Sequence, residues 1–106
     1  MSIINDNFTK SPELKASIIE PVLLCCLNNS SFNFLLITIQ KIFRISCFEL
    51  KNYLLYMIEY GVLSYNGQKQ EFKIERGGID LLDIIKKEKI IGKSNINDMT
   101  ITFEHT

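Results

Sequence analysis

The sequence predicts an α+β fold, mainly α, with a three-helix core, a β-hairpin and a C-terminal helix. Three observations predict it: apolar residues recur at helical spacing in successive segments between residues 17 and 60, the period changes to two after Gly61, and helical spacing returns after Gly78. With 106 residues, 46% of them hydrophobic, the chain is long enough for one hydrophobic core and too short for two. The expected organisation is a flexible N-terminus over residues 1–10, one domain over 11–91 and a C-terminal tail over 92–106.

Ser17-Ile18-Ile19-Glu20 has the spacing of a capping box, in which the Ser and Glu side chains accept hydrogen bonds from each other's backbone N–H at a helix start. Ser11 followed by Pro12 offers a competing start, since the N–H that proline lacks has no partner there anyway. Pro21 removes a donor and kinks a helix that begins upstream, so regular helix is expected from about Pro21 to Leu27, after a bent turn or two. Ile18, Ile19, Val22, Leu23, Cys26 and Leu27 supply its apolar stripe, and Asn28 to Ser31 ends it.

The next run, Phe34, Leu35, Ile37, Thr38, Ile39, Ile42 and Phe43, is rich in β-branched and aromatic residues, and propensity alone favours a strand. Context favours a helix: Gln40, Lys41 and Arg44 fall on one side of a helical wheel, and the run leads into a clearer helix. That third helix, over 46–60, has Ser46 as N-cap, Glu49 three residues later, and a stripe of Leu50, Tyr53, Leu54, Met57 and Ile58. Gly61 stands where a left-handed C-terminal residue belongs.

In the hairpin, over 62–75, Leu63 and Tyr65 alternate with Ser64 and Asn66, and Phe72 and Ile74 with Glu71, Lys73 and Glu75. A two-residue Asn66-Gly67 turn places Leu63 opposite Gln70. A loop of about four residues, Asn66 to Lys69, places it opposite Phe72, and the shared apolar face favours that longer loop. Gly77-Gly78 is expected to break the strand. Ile79, Leu81, Leu82, Ile84 and Ile85 then form a last helix that ends in Lys86, Lys87 and Lys89, cations suited to the negative end of its dipole, before Gly92. Met99, Ile101 and Phe103 alternate weakly, which leaves open an added strand or no ordered structure. The expected core is Leu23, Leu27, Ile39, Phe43, Leu50, Leu54, Ile58, Leu63, Phe72, Ile74 and Leu82.

Twelve Lys and Arg balance twelve Asp and Glu, so net charge argues for neither a nucleic-acid nor a membrane partner. Its distribution says more, because Lys41, Arg44, Lys51, Lys69, Lys73 and Arg76 outnumber Glu49, Glu59, Glu71 and Glu75 in the centre of the chain. Cys25, Cys26 and Cys47 are odd in number, and a helix points the adjacent pair apart, so they read as small hydrophobes and not as a disulfide framework. The polar stretch Met1 to Lys10 does not read as a secretory leader, and Val22–Leu27 and Phe34–Ile39 fall short of the roughly 20 residues of a membrane span. A soluble, cytoplasmic protein is expected. His105 is poorly placed for a zinc site or a catalytic dyad, and helix-dipole complementarity explains Asp80 and Asp83 without chemistry. Gly77-Gly78 lacks the context of a phosphate-cradling loop. No enzyme, cofactor or metal is expected.

Helix, helix, short turn, helix, hairpin, helix within roughly 75 residues is the layout of a winged helix-turn-helix. Specific residues add to it: Phe48-Glu49-Leu50-Lys51-Asn52-Tyr53-Leu54, Ile58-Glu59-Tyr60-Gly61-Val62-Leu63, Phe72-Lys73-Ile74 and Gly78-Ile79-Asp80-Leu81-Leu82. Over about residues 17–90 the chain resembles an archaeal winged-helix family of small transcription regulators and chromatin proteins. The resemblance implies that helix 46–60 enters the major groove of duplex DNA and that the hairpin meets the backbone. Ser46, Cys47, Glu49, Lys51, Asn52 and Tyr56 would then face the groove, with Asn52 best suited to pair with adenine. Lys41, Arg44, Lys69 and Lys73 would meet phosphates. In two respects the chain departs from the family. The threonine usual before the final helix is Glu75 here, and a short helix and tail replace the long C-terminal coiled-coil helix of the chromatin-type members.

A Lys or Arg on an amphipathic helix is by default a solvated residue, and the spacing of Tyr53 assigns it to the core. The expected function is duplex DNA binding as a transcriptional regulator. The alternative is a winged-helix protein-interaction module, favoured by the sequence pI of about 6.6 and by Glu49. A homodimer is expected through the helix after Gly78 and the N-terminal segment, since Ile79, Leu81, Leu82, Ile84, Ile85, Ile90 and Ile91 exceed what one buried face needs. A tail folded back over 96–103 would cover that surface within one chain instead.

Overall fold

A computed structural model describes residues 13–91, 96 and 99–103. In chain order these form β1 (Glu13–Lys15), α1 (Ala16–Cys26), α2 (Phe32–Gln40), α3 (Cys47–Glu59), β2 (Leu63–Asn66), β3 (Glu71–Ile74), α4 (Arg76–Ile91) and β4 (Thr100–Thr102). The fold is α+β, mainly α. Its two small antiparallel sheets pair β1 with β4 and β2 with β3.

α1 lies at the centre, against α2, α4, β1 and β3. It buries Ala16, Ser17, Ile18, Ile19, Val22, Leu23 and Cys26, which explains why it begins well before Pro21. Burial of Ile18 and Ile19, worth about 1.5–3 kcal/mol each, offsets the roughly 3 kcal/mol that an interior proline costs. The Ser17–Glu20 spacing does not act as a capping box: the N-cap is Lys15, with no side-chain cap, and Ser17 is buried inside the helix. Glu20 instead meets Lys89 of α4 at 3.1 Å. The chain enters α1 from a strand, where the Ala16 N–H donates to the Met99 carbonyl at 3.0 Å and the Lys15 N–H to the Tyr53 hydroxyl at 3.1 Å. The competing start at Ser11 and Pro12 lies outside the described residues, as do residues 1–10 and Gly92.

β1 and β4 run in the register Glu13↔Thr102, Leu14↔Ile101, Lys15↔Thr100. Just beyond, Phe103 is buried and stacks on Tyr60 with ring centroids 5.1 Å apart. Of the two alternatives open for Met99, Ile101 and Phe103, the described residues form the added strand.

α2 is a helix despite its β-branched content, and the Ser31 hydroxyl caps it by accepting from the Phe34 N–H at 3.2 Å. The Gln40 side-chain amide donates to the Ile45 carbonyl at 3.0 Å and closes the turn into α3. α3 starts with the reciprocal cap that its spacing predicts. Ser46 Oγ accepts from the Glu49 N–H and Glu49 Oε1 from the Ser46 N–H, both at 3.0 Å. Gly61, at φ +76°, takes the left-handed conformation after it.

The hairpin register differs from the expected one. Leu63 faces Ile74, and Tyr65 faces Phe72 with ring centroids 4.7 Å apart. The loop is residues 67–70, fixed by Asn66 Oδ1, which accepts from the N–H groups of Gln68 (2.9 Å) and Lys69 (3.1 Å). A slip of two residues keeps the same side chains on the buried face, so apolar alternation alone does not distinguish the two registers. On the other edge of β3, Ser30, between α1 and α2, exchanges two backbone hydrogen bonds with Phe72 at 2.7 and 2.9 Å.

The strand ends at Ile74, ahead of Gly77 and Gly78, which lie in the first turn of α4. A Cβ on Gly77 would stand 2.7 Å from the Gly61 carbonyl oxygen, and one on Gly78 would strike the Val62 carbonyl and approach Ile74 Cγ1 to 2.6 Å. The glycines let α4 press against the turn that leaves α3. Glu75, just before α4, offers its carbonyl to the N–H groups of Gly78 and Ile79, and its carboxylate accepts from the Ser64 hydroxyl. Among the expected core residues Leu27 alone is exposed, at 48%, because α1 ends one residue before it. Ile19, Val22, Cys26, Leu35, Met57 and Ile85 are fully buried in addition. Among the described residues no helix is long and apolar enough to cross a membrane.

Candidate functional site

α3 buries only Leu50, Leu54 and Met57, so most of its surface stays open. Cys47, Glu49, Lys51 and Tyr56 are exposed and Asn52 is half-buried. The outward face also carries two residues that sequence reasoning missed, Phe48 (72% exposed) and Leu55 (63%). Their signal was present: seven residues apart, they share one side of the helix, off the Leu50–Leu54–Met57 stripe.

The structure distributes the expected site residues over three places. At the start of α3, Ser46 and Glu49 are committed to each other through the cap, and Arg44 and Glu49 line a shallow depression with Lys15, Ser17 and Tyr53. Between α3 and the hairpin runs an apolar groove of about 400 Å³, walled by Phe32, Leu54, Leu55, Ile58, Tyr65 and Phe72. Lys51 stands at its edge with Nζ 5.6 Å from the centre of the Phe32 ring, a cation–π distance. Lys69 and Lys73 line a third depression with Asn29, Ser64, Asn66 and Glu71. Lys73 pairs with Ser64 and so points to the hairpin face opposite Phe72 and Ile74. Lys41, the C-cap of α2, is exposed and lies in none of these depressions.

Both ion pairs among the described residues use lysines of α4: Lys87 meets Asp83 one turn away at 3.0 Å, and Lys89 meets Glu20 of α1 at 3.1 Å. Lys41, Arg44, Lys51, Lys69 and Lys73 have no carboxylate partner there. Cys26 is buried, which pushes its thiol up to about 12, with the neighbouring Cys25 adding to the shift; Cys47 is exposed. Among the described residues no cluster of His, Cys, Asp and Glu could hold a metal ion.

Comparison with family models, with curated proteins and with solved structures finds no match to this chain.

Proposed function

We propose that the chain is a winged-helix DNA-binding protein, a transcriptional regulator of the cytoplasm, that lays α3 in the major groove of a duplex and sets the hairpin against the backbone. The observation that carries this reading is the open outer face of α3, a helix fixed at both ends, which follows α2 by a short turn and leads directly into a hairpin. The element order, including the Ser30 rung beside β3, agrees with a winged helix-turn-helix. Lys51, Asn52 and Tyr56 supply a cation, a carboxamide and a hydroxyl on α3, and Lys41, Arg44, Lys69 and Lys73 are cations with no carboxylate to give up before meeting phosphate.

Phe48, Leu55 and the apolar groove favour a second reading, a winged helix that binds protein. Large apolar side chains gain little from phosphates and much from a partner's hydrophobic surface. Gel shifts of a mixed-sequence duplex at two salt concentrations separate the readings. DNA binding predicts measurable affinity that falls with salt, and Arg44→Ala or Lys51→Ala should each flatten the logarithmic salt slope by about one. No shift even at low salt refutes the DNA reading and leaves the interaction module.

A further inference from the structure

The face of α4 turned away from the core reads Ile79, Asp83, Lys86, Ile90, and this pattern is its own complement when the helix is reversed end for end. Steps of four, three and four residues place the four side chains in one stripe. All four are exposed, Ile79 by 53% and Ile90 by 84%, while Leu81, Leu82 and Ile85 turn into the core. β4 and Phe103 lie beside Tyr60, Leu81 and Ile84, on another side of the helix, so the folded-back strand leaves the stripe uncovered.

We propose that the protein forms a homodimer by antiparallel, two-fold packing of α4 along this stripe, with the axis passing between Ile84 and Ile85. In that register Ile79 of one copy lies across from Ile90 of the second, and Asp83 across from Lys86. Each contact then occurs twice, as a two-fold axis requires. A parallel pair would instead set Asp83 against Asp83 and Lys86 against Lys86, which opposes it. Lys86 has no carboxylate partner within the described chain, so pairing across the axis breaks nothing. Asp83 meets Lys87 one turn on at 3.0 Å, and its carboxylate keeps acceptor sites for a second cation. At 1.5 Å per residue the seam from Ile79 to Ile90 is about 16 Å long. Four isoleucines over that length fit a dimer of micromolar strength better than an obligate one.

Light scattering on the full chain over micromolar to millimolar concentration tests this. The wild type should rise from 12.3 kDa toward twice that mass. Asp83→Lys and Lys86→Asp, taken singly, should each weaken dimerisation about tenfold or more by setting like charges opposite each other at both contacts. Mixing the two single variants should restore association, because each copy then offers the charges the other needs, and the doubly exchanged chain should dimerise alone. Both positions are exposed, and circular dichroism checks that each variant stays folded. A mass of 12.3 kDa throughout overturns the proposal. So does a dimer indifferent to the single exchanges, or one that the mixture fails to restore.

Discussion

α1 and α3 are helices of similar length, 11 and 13 residues, held in opposite ways. α1 has no side-chain cap, no acidic residue in its first turn and a proline in its interior, and it buries seven of its residues against the rest of the fold. α3 has a reciprocal cap, Glu49 at the positive end of its dipole and Gly61 in the left-handed conformation after it, and it buries three. A helix held by its neighbours has no surface to spare. One held at its own ends can keep a face open for a partner.

The cysteines offer the largest test of that contrast, since Cys26 lies near the end of α1 and Cys47 opens α3. Alkylation under native, mildly alkaline conditions should modify Cys47 at the rate of an exposed thiol. Cys26 is fully buried and its thiol is pushed up to about 12, so it should react only through unfolding. For a domain of ordinary stability that slows it by about 10³-fold or more, read by mass spectrometry of labelled peptides. Comparable labelling of the two would mean that α1 opens readily. The same shift has a sign in pH: the unfolded thiol ionises near 9 and the folded one near 12. The unfolded chain therefore releases its proton first, and the contribution of Cys26 to stability is lost as pH rises across that interval.

Truncation should separate the helices next. Leu23→Ala opens a cavity under the central helix and should cost about 3 kcal/mol in urea denaturation. Ser46→Ala removes only one side of the α3 cap and should cost about 1 kcal/mol. Equal costs would erase the distinction between packing and capping.

The same contrast governed what could be read from the amino acids. The ends of α3 were legible because each signal is local: Ser46 and Glu49 stand three residues apart at its start, and Gly61 directly follows its C-cap Tyr60. The start of α1 was not, because it depends on β4, on the Met99 carbonyl and on Tyr53, all remote in sequence. The Ser17–Glu20 spacing misled for that reason, and the hairpin register was not legible because a slip of two residues leaves the same side chains on the buried face. That Gly77 and Gly78 belong to the helix was not legible, since their close approach to Gly61 and Val62 has no local trace. Of the candidate site, helical period assigned only the buried stripe of α3, and the groove-facing positions followed from the family resemblance. Phe48 and Leu55 have the apolar character of core residues and only the packing leaves them outside, and the opposite faces of Lys73 and Phe72 separate the hairpin cations from the α3 groove.

Leu54 and Leu55 bring the comparison down to adjacent residues of one type, and the smallest expected effect is the most informative. Leu54 is 2% exposed beneath α3, whereas Leu55 is 63% exposed on its outer face and forms one wall of the apolar groove. Leu54→Ala should cost about 3 kcal/mol. Leu55→Ala should change stability by no more than about 0.5 kcal/mol, because it removes little buried area and alanine is as good a helix former. A cost above roughly 1 kcal/mol at Leu55 would mean that the hairpin closes over it in solution and that the groove is part of the core. The outer face of α3 would then be too narrow to enter a DNA groove or seat a protein. A neutral result with weakened partner binding would show that this surface serves recognition and not folding.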